Sequence, residues 1–241
     1  MKKVSFGTNA SADFRASSIR LNSKGLSFIL NCPKGSYLVS SRLLGRHNVL
    51  NLLAALTIAY LNGVAIELAL SRIEGFLGVI GRMESVNAGQ DFNVIVDYAH
   101  TPDAIENACE IVGEITQGKK IIVFGCGGER DRGKRPLMMS AAFERMDTVI
   151  VTSDNPRNEP LEVIFEDMKK GLPENVSKKE VLFIEDRKNA IAEAFHRAQS
   201  GDCVLIAGKG HEMYQEVGDT MIPFDDRKVA RELIENRSFN A

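Results

Sequence analysis

The order of apolar and polar residues changes once along the chain. Residues 4–42 alternate weakly and carry a turn sequence at Asn22–Gly25, which predicts short β structure. Two helices are predicted next, at Asn48–Leu61 and Ile66–Phe76. The first is apolar nearly all round, so we expect it to be buried on every side.

From residue 81 onward, short β-branched runs alternate with segments of helical spacing, such as Asp103–Val112 and Lys188–Ala198. This alternation predicts right-handed crossovers and a doubly wound, mostly parallel sheet of the α/β class. Thr101 followed by Pro102 is typical of a helix start, and Asp225-Asp226 indicates another. The predicted strands are Asn93–Val96, Lys120–Phe124, Thr148–Thr152, Val181–Ile184 and Cys203–Ala207.

Length and composition fit a soluble protein with two domains, an incomplete one over residues 1–80 and a complete one over 81–241. The chain is 44% apolar and 26% charged, which excludes disordered and fibrous classes. Its net charge of -2 provides no basic field for nucleic acid or an anionic membrane. We find no signal or transmembrane segment, and neither the four scattered cysteines nor the four histidines have metal-ligand spacing. We therefore expect a cytoplasmic protein without a zinc site.

Charged and glycine-rich segments follow all five predicted strands. Ligands of open parallel sheets bind outside the carboxyl ends of the strands, so these segments predict a shared charged rim. The alternative for any single segment is an ordinary polar turn or helix cap. Four arginines favour a ligand site over a solvated edge: Arg130, Arg132, Arg135 and Arg157. The five segments are Asp97–His100, Gly125–Arg135, Ser153–Arg157, Glu185–Arg187 and Gly208–Glu212.

The segment Gly128–Arg135 has the spacing of a nucleotide phosphate-binding loop but not its chemistry. Arg135 stands where that loop has the serine or threonine that binds Mg²⁺, so we exclude the motif. The segment also lacks the third glycine of the dinucleotide fingerprint, which argues against a nicotinamide cofactor. Backbone at Gly125, Gly127 and Gly128 can still approach an anion closely.

The segment Asp154–Arg157 combines a carboxylate, an amide and a guanidinium within four residues. Arginine binds a carboxylate through two parallel hydrogen bonds, and an acidic side chain accepts hydrogen bonds from an ammonium group. Arg157 together with Glu212 is therefore predicted to hold one end of an amino acid. The alternative is a salt bridge that only stabilises a turn.

These segments resemble the Mur ligase family over nearly the whole chain, from about Ala12 to Arg227. The family has a domain for a UDP-sugar, a central ATPase domain and a C-terminal domain that delivers the incoming amino acid. The resemblance implies that residues 1–80 are the last part of the central domain and that residues 81–241 are the C-terminal domain. The motifs that carry it are Gly81–Glu84, Asp97–Asp103, Phe124–Pro136 and Gly208–Glu212.

The resemblance also implies which residues bind the small substrates. Arg157 is the most informative, because the family's Asp-Asn-Pro-Arg segment accompanies meso-diaminopimelate, which has a distal carboxylate that lysine lacks. A site built for that carboxylate rejects the analogue without it by about 10⁴–10⁵. The positions implied for ATP are Asn48, Arg82 and Asp97, and those implied for diaminopimelate are Arg130, Asp154, Asn155, Pro156, Arg157, Gly208 and Glu212.

The implied activity is ATP-dependent addition of meso-diaminopimelate to UDP-N-acetylmuramoyl-L-alanyl-D-glutamate in peptidoglycan synthesis, with Mg²⁺ and through an acyl phosphate. The family's phosphate-binding loop, modified lysine and Mg²⁺ ligands have no counterpart in this sequence. We therefore expect the chain to be inactive alone and to need the N-terminal portion of the ligase as a partner. The alternatives are a non-catalytic module that binds an amino acid or a nucleotide, and a degraded fragment. An unrelated doubly wound oxidoreductase has only fold analogy in its favour.

Overall fold

The computed structural model describes residues 3–174 and 179–238, with side chains up to residue 236. The chain divides into two compact units, Met1–Gly78 and Val79–Ala241. The sequence places a domain boundary two residues further along, between residues 80 and 81. No helix in the described part of the chain is both long enough and apolar enough to cross a membrane.

The first unit contains a four-stranded sheet and two helices. The strands lie in the order β1-β2-β3-β4, with β1 parallel to β2 and the other pairs antiparallel. The predicted turn at Asn22–Gly25 is confirmed, since it joins β2 to β3. The elements are β1 (Phe6–Gly7), β2 (Phe14–Asn22), β3 (Gly25–Cys32), β4 (Gly35–Ser41), α1 (His47–Leu61) and α2 (Ile66–Glu74).

One face of α1 packs on this sheet, where Leu53 and Leu56 join Phe28 and Val39 in a buried cluster. The opposite face carries Leu50, Ile58 and Leu61, which are 47%, 61% and 56% exposed. The prediction that α1 is buried on every side is therefore wrong for this chain. An apolar sequence predicts what a helix can bury, but the number of faces it does bury depends on which elements pack against it.

The second unit is built on a six-stranded sheet, which confirms the predicted α/β class. Its strand order is β5-β6-β10-β7-β8-β9. Five strands are parallel, and the short edge strand β5 is antiparallel to β6. The strands are β5 (Glu84–Ser85), β6 (Asn93–Asp97), β7 (Lys120–Phe124), β8 (Thr148–Val151), β9 (Glu180–Phe183) and β10 (Cys203–Ala207).

The helices of this unit form two groups. The helix α3 packs on α4, and α4 packs on α5, whereas α6 packs on α7. Thr101 caps α3 as predicted, because its hydroxyl oxygen accepts a hydrogen bond from the Ala104 N–H at 3.3 Å. The helices are α3 (Pro102–Ile115), α4 (Lys134–Arg145), α5 (Leu161–Lys169), α6 (Arg187–Arg197) and α7 (Asp226–Ser238).

The chain reverses its direction across the sheet at β10. It runs outward from β6 through β7 and β8 to β9 and then returns to place β10 between β6 and β7. Loops that leave neighbouring strands toward opposite faces open a crevice at the carboxyl edge. The fold therefore places its crevice around the ends of β6, β10 and β7.

A two-stranded hairpin, β11 (Tyr214–Val217) and β12 (Thr220–Pro223), lies between β10 and α7. The pattern of apolar residues in the sequence does not predict this hairpin. Each strand has only four residues, and all four residues of β12 are exposed, so no run of buried positions marks it. The hairpin matters because its first strand contacts the Asp154–Arg157 segment.

Candidate active site

A cavity of about 350 Å³ opens at the carboxyl edge of the six-stranded sheet. Its size lies within the range of pockets that enclose a small molecule. Residues from the ends of β6, β7, β8 and β10 line it, which is where the fold places its crevice. Six of the seven positions predicted for the incoming amino acid are among them: Arg130, Asp154, Asn155, Arg157, Gly208 and Glu212.

Pro156, the seventh position, does not line the cavity. Its carbonyl oxygen lies against Gly128, where an added Cβ would come within 1.9 Å of it. The Gly128 N–H in turn donates to the Asn155 carbonyl oxygen at 2.9 Å. Pro156 therefore acts on the cavity through the backbone, by bringing the loops after β7 and β8 together.

Arg157 is held in an unusual conformation by the hairpin. Its φ is +52°, in the left-handed region, and its Nε lies 2.9 Å from Oε2 of Glu216. Its backbone N–H donates to the Glu216 carbonyl oxygen, and its own carbonyl oxygen accepts from Gly218. Its Nη1 donates to the Gly128 carbonyl oxygen at 2.9 Å. The turn salt bridge considered as an alternative is therefore present.

The same guanidinium also faces the cavity. Its Nη2 has no hydrogen bond to any residue that the structure describes. Arg130 lines the cavity beside it, is exposed, and makes no hydrogen bond or ion pair within the described chain. Two cationic side chains thus retain donors for an anionic group.

Lys209 lies beside three residues of the predicted amino-acid site and is completely buried. Its Nζ is 2.9 Å from Oδ1 of Asn155, 3.1 Å from Oε2 of Glu212 and 3.4 Å from Oδ1 of Asp154. The sequence reading did not select it, because lysine is among the residue types least often buried. Its position between Gly208 and Gly210, in a segment that follows a buried strand, was the available signal.

Arg132 and Arg135 do not belong to the predicted rim. Arg135 is fully buried and binds Glu159, with Nη2 at 2.6 Å from Oε2, and also Asp167. Arg132 donates from Nε to Asp167 at 2.8 Å. Two of the four arginines predicted for the rim therefore form ion pairs on the α4–α5 side of the fold, and the prediction that they belong to the ligand site is wrong. Residue type and spacing predicted a charged edge but not the direction of each side chain.

The segment Glu185–Arg187 also lies apart from the cavity. Arg187 is buried and donates to both carboxylate oxygens of Asp226, each at 2.8 Å. It also donates to the carbonyl oxygens of Ser153 and Ala207, which follow or end two central strands. Its role is to tie the start of α7 to the carboxyl ends of β8 and β10.

Stability of the α4–α5 side should depend on pH. The hydrogen bond from Arg135 lowers the pKa of Glu159 from 4.5 to about 2, and Arg132 holds the pKa of Asp167 well below its usual range. Both carboxyls have a lower pKa when folded, so their stabilisation is present above pH 4.5 and is lost as the pH falls toward 2. We expect urea unfolding of Glu159→Gln to depend less on pH in this window than the parent chain. The exposed control Glu232→Gln should retain the full dependence, and equal curves for both variants would contradict the assignment.

The three positions predicted for ATP lie outside this cavity. In the first unit, the Asn48 amide donates to the Leu44 carbonyl oxygen at 2.7 Å. In the second unit, the guanidinium of Arg82 stacks 4.8 Å from the Tyr98 ring and is exposed. Asp97 accepts from the backbone N–H groups of Met83 and Ala99, both at 2.8 Å, and burial raises its pKa. Their predicted nucleotide roles remain predictions.

The described residues provide neither a cysteine nucleophile in the cavity nor a cluster of three metal ligands. Cys126 lines the cavity, but burial raises the pKa of its thiol to about 12, so it is not a thiolate nucleophile at neutral pH. Within residues 3–174 and 179–236, no three His, Cys, Asp or Glu side chains converge as metal ligands would.

Two family models match the chain, each over part of one unit. Residues 81–210 match the family described as "Mur ligase, glutamate ligase domain", and residues 1–59 match "Mur ligase middle domain". The UDP-N-acetylmuramoyl-L-alanyl-D-glutamate–2,6-diaminopimelate ligase of Listeria monocytogenes is 44% identical over 234 residues, which cover 97% of this chain and 47% of that protein.

Solved structures agree with the sequence matches. A structure of a UDP-N-acetylmuramoyl-L-alanyl-D-glutamate–2,6-diaminopimelate ligase is 40% identical, with a TM-score of 0.79, and the match covers 98% of this chain and 48% of that one. A MurF ligase from Thermotoga maritima in complex with ADP has a TM-score of 0.64 at 17% identity, over 98% and 49% of the two chains, and shares the fold. The chain thus spans about half the length of the curated relatives it matches. The chain belongs to the Mur ligase family.

Proposed function

We propose that this chain carries the amino-acid-accepting site of an ATP-dependent amide ligase that adds meso-diaminopimelate to UDP-N-acetylmuramoyl-L-alanyl-D-glutamate. The observation that supports it best is the division of charge around the cavity. Asp154, Glu212 and Lys209 contribute two negative charges and one positive, leaving one negative charge. Arg130, Lys134, Arg157 and Glu216 contribute three positive charges and one negative, leaving two positive charges. Such a site complements a molecule that carries both an ammonium and a carboxylate group.

Diaminopimelate fits this division better than lysine does. Both have an ammonium group at each end, but only diaminopimelate has a carboxylate at each end. Lysine would leave the free donor of the partly buried Arg157 without a carboxylate partner, which is costly. The curated relative from Listeria monocytogenes is named for diaminopimelate, which supports the same choice.

The proposed reaction also requires a nucleotide. The related MurF structure contains ADP, and ATP supplies the phosphoryl group in the proposed reaction. That phosphoryl group passes to the dipeptide carboxylate, and ADP leaves. The neutral diaminopimelate amine then attacks the acyl phosphate, and the amide forms as the nitrogen loses a proton and inorganic phosphate leaves. The residues of this chain contribute to catalysis by positioning. The cavity binds the carboxylates of diaminopimelate and thereby holds its amine in place for attack.

No three His, Cys, Asp or Glu side chains of the described residues cluster as candidate ligands for Mg²⁺. We therefore assign no step of the reaction to a metal held by them. The sequence also has no G-x-x-G-K-[ST] loop for the ATP phosphates. We propose that these 241 residues bind the amino acid but do not by themselves activate the dipeptide carboxylate.

A product assay tests the proposal. The purified chain is incubated with ATP, Mg²⁺, the UDP-linked dipeptide and meso-diaminopimelate, alone and with a separately produced polypeptide that carries the part of the Listeria relative not matched here. We expect the tripeptide product only in the mixture. Product from the chain alone would contradict the proposal that these residues do not by themselves activate the dipeptide carboxylate. Binding of diaminopimelate without turnover in any mixture would favour a non-catalytic binding module.

A further inference from the structure

We infer that Lys209 is a positioning residue that fixes Asp154 and Glu212 as a paired receptor for one ammonium group of the ligand. The inference rests on the proposed function, because it assumes a ligand with an ammonium group. Lys209 itself is 0% exposed and is not among the residues that line the cavity. It therefore lies behind the two carboxylates and acts on the ligand only through them.

The burial of Lys209 requires a specific reason. A buried ammonium loses its hydration, which costs several kcal/mol unless nearby acceptors replace the water. Asp154, Asn155 and Glu212 supply three acceptor oxygens, and the Tyr214 ring lies 5.6 Å from Nζ. All of these four partners line the cavity. An apolar residue would fill the same space without this cost, so a buried ammonium that contacts these four cavity residues indicates a role in the site.

The contacts determine which carboxylate oxygens stay available. Lys209 takes Oδ1 of Asp154 and Oε2 of Glu212, and Asn155 also donates to that Oε2 at 3.1 Å. The other oxygen of each carboxylate has no hydrogen bond within the described chain. At Oδ2 of Asp154, Gly208 keeps the space open, since an added Cβ would lie 3.3 Å away. Each acidic side chain thus presents one acceptor.

Lys209 also fixes the orientation of the Asn155 amide. The amide oxygen accepts from Lys209 at 2.9 Å and from the Glu216 N–H at 3.0 Å. With its oxygen held by two donors, the amide nitrogen must point the other way, toward Glu212. Lys209 therefore restrains Glu212 twice, once directly and once through Asn155.

The charge of Lys209 also affects the two carboxylates. Two carboxylates that face one cavity repel each other. The Lys209 ammonium between them offsets this repulsion and leaves one net negative charge for the ligand's ammonium group. Without Lys209, the two carboxylates would separate, and the preference for an ammonium ligand would fall.

Calorimetry with Lys209→Met tests the inference. Methionine keeps an unbranched side chain as far as Cε and removes the charged terminal group. The ligands are meso-diaminopimelate and heptanedioate, which has the same two carboxylates and no amino group. Loss of one charged hydrogen-bonding arrangement is expected to weaken diaminopimelate binding by about 10- to 100-fold while changing heptanedioate binding much less. A structural defect alone would weaken both, and unchanged diaminopimelate binding, or equal losses for both ligands, would overturn the inference.

The matched control is Lys169→Met. Lys169 also pairs with an acidic residue three positions away, Glu166 at 2.6 Å, but it is partly exposed on α5. We expect this variant to bind both ligands as the parent chain does.

A measurement without ligand separates this inference from the proposed function and does not depend on the variant folding. In the parent chain, the ¹⁵N signal of the Lys209 ammonium, assigned through its own side-chain carbons, is expected to show slow proton exchange at neutral pH. Exchange as fast as that of Lys169 would overturn the inference even if diaminopimelate binds. Slow exchange together with no diaminopimelate binding by the parent chain would support the geometry of Lys209 and overturn the proposed substrate instead.

Discussion

Replacement of Arg157 by lysine is expected to weaken binding of meso-diaminopimelate by about 10- to 100-fold, because a point charge replaces a planar fork of donors. The left-handed φ of +52° is equally unfavourable for both residue types, so the exchange isolates the head group. The lysine ammonium can reach Glu216 or the ligand's carboxylate, but it cannot hold Glu216, Gly128 and that carboxylate at once as the guanidinium can. The discrimination against L-lysine should fall by a similar factor.

Competition calorimetry with the two amino acids measures this discrimination directly. Arg197→Lys is a suitable control, because Arg197 lies on α6 and binds Glu193 and Glu180 away from the cavity. If Arg157→Lys rejects lysine as strongly as the parent chain does, Arg157 is only a turn-stabilising residue. In that case Arg130 would be the next candidate to bind the distal carboxylate.

The second large effect is expected on stability, at the buried pair of Arg187 and Asp226. Both side chains are 0% exposed and share two hydrogen bonds of 2.8 Å. Asp226→Asn removes the charge and leaves the guanidinium buried without an anion, which typically costs about 3–5 kcal/mol. We expect the free energy of unfolding in urea to fall by this amount, whereas the exposed control Asp91→Asn should change it by less than about 0.5 kcal/mol.

The double variant Arg187→Met/Asp226→Leu makes the test specific to charge. Replacing both partners by apolar residues leaves no unpaired charge, so we expect it to lose less stability than Asp226→Asn alone. A double variant that is much less stable than the single one would show that the hydrogen bonds from Arg187 to Ser153 and Ala207 dominate instead.

The sequence predicted the sheet of the second unit well, because its signals are local. Lys120–Phe124 and Cys203–Ala207 are strands with the predicted bounds, since each is a buried apolar run that ends at a glycine. The hairpin β11–β12 was missed because its exposed strands lack that signal. The exposed face of α1 was missed because burial depends on neighbouring elements rather than on the helix sequence.

The candidate site was predicted in part for a similar reason. Strand ends indicate where Arg130 and Arg135 are in the fold, but only packing decides that Arg130 faces the cavity while Arg135 is buried against Glu159. Lys209 and Glu216 were not selected because their partners are distant in sequence: Asn155 is bound by Lys209, and Arg157 by Glu216. Contacts of this range have no periodicity that a single sequence reveals.

The central claim is that the cavity at the carboxyl edge is a receptor for meso-diaminopimelate. Isothermal titration of the purified 241-residue chain with meso-diaminopimelate and, separately, with L-lysine tests it most directly. The charge division around Asp154, Glu212 and Arg157 predicts saturable binding of diaminopimelate and much weaker binding of lysine. Equal affinity for the two amino acids, or no binding of diaminopimelate by a folded chain, would contradict it.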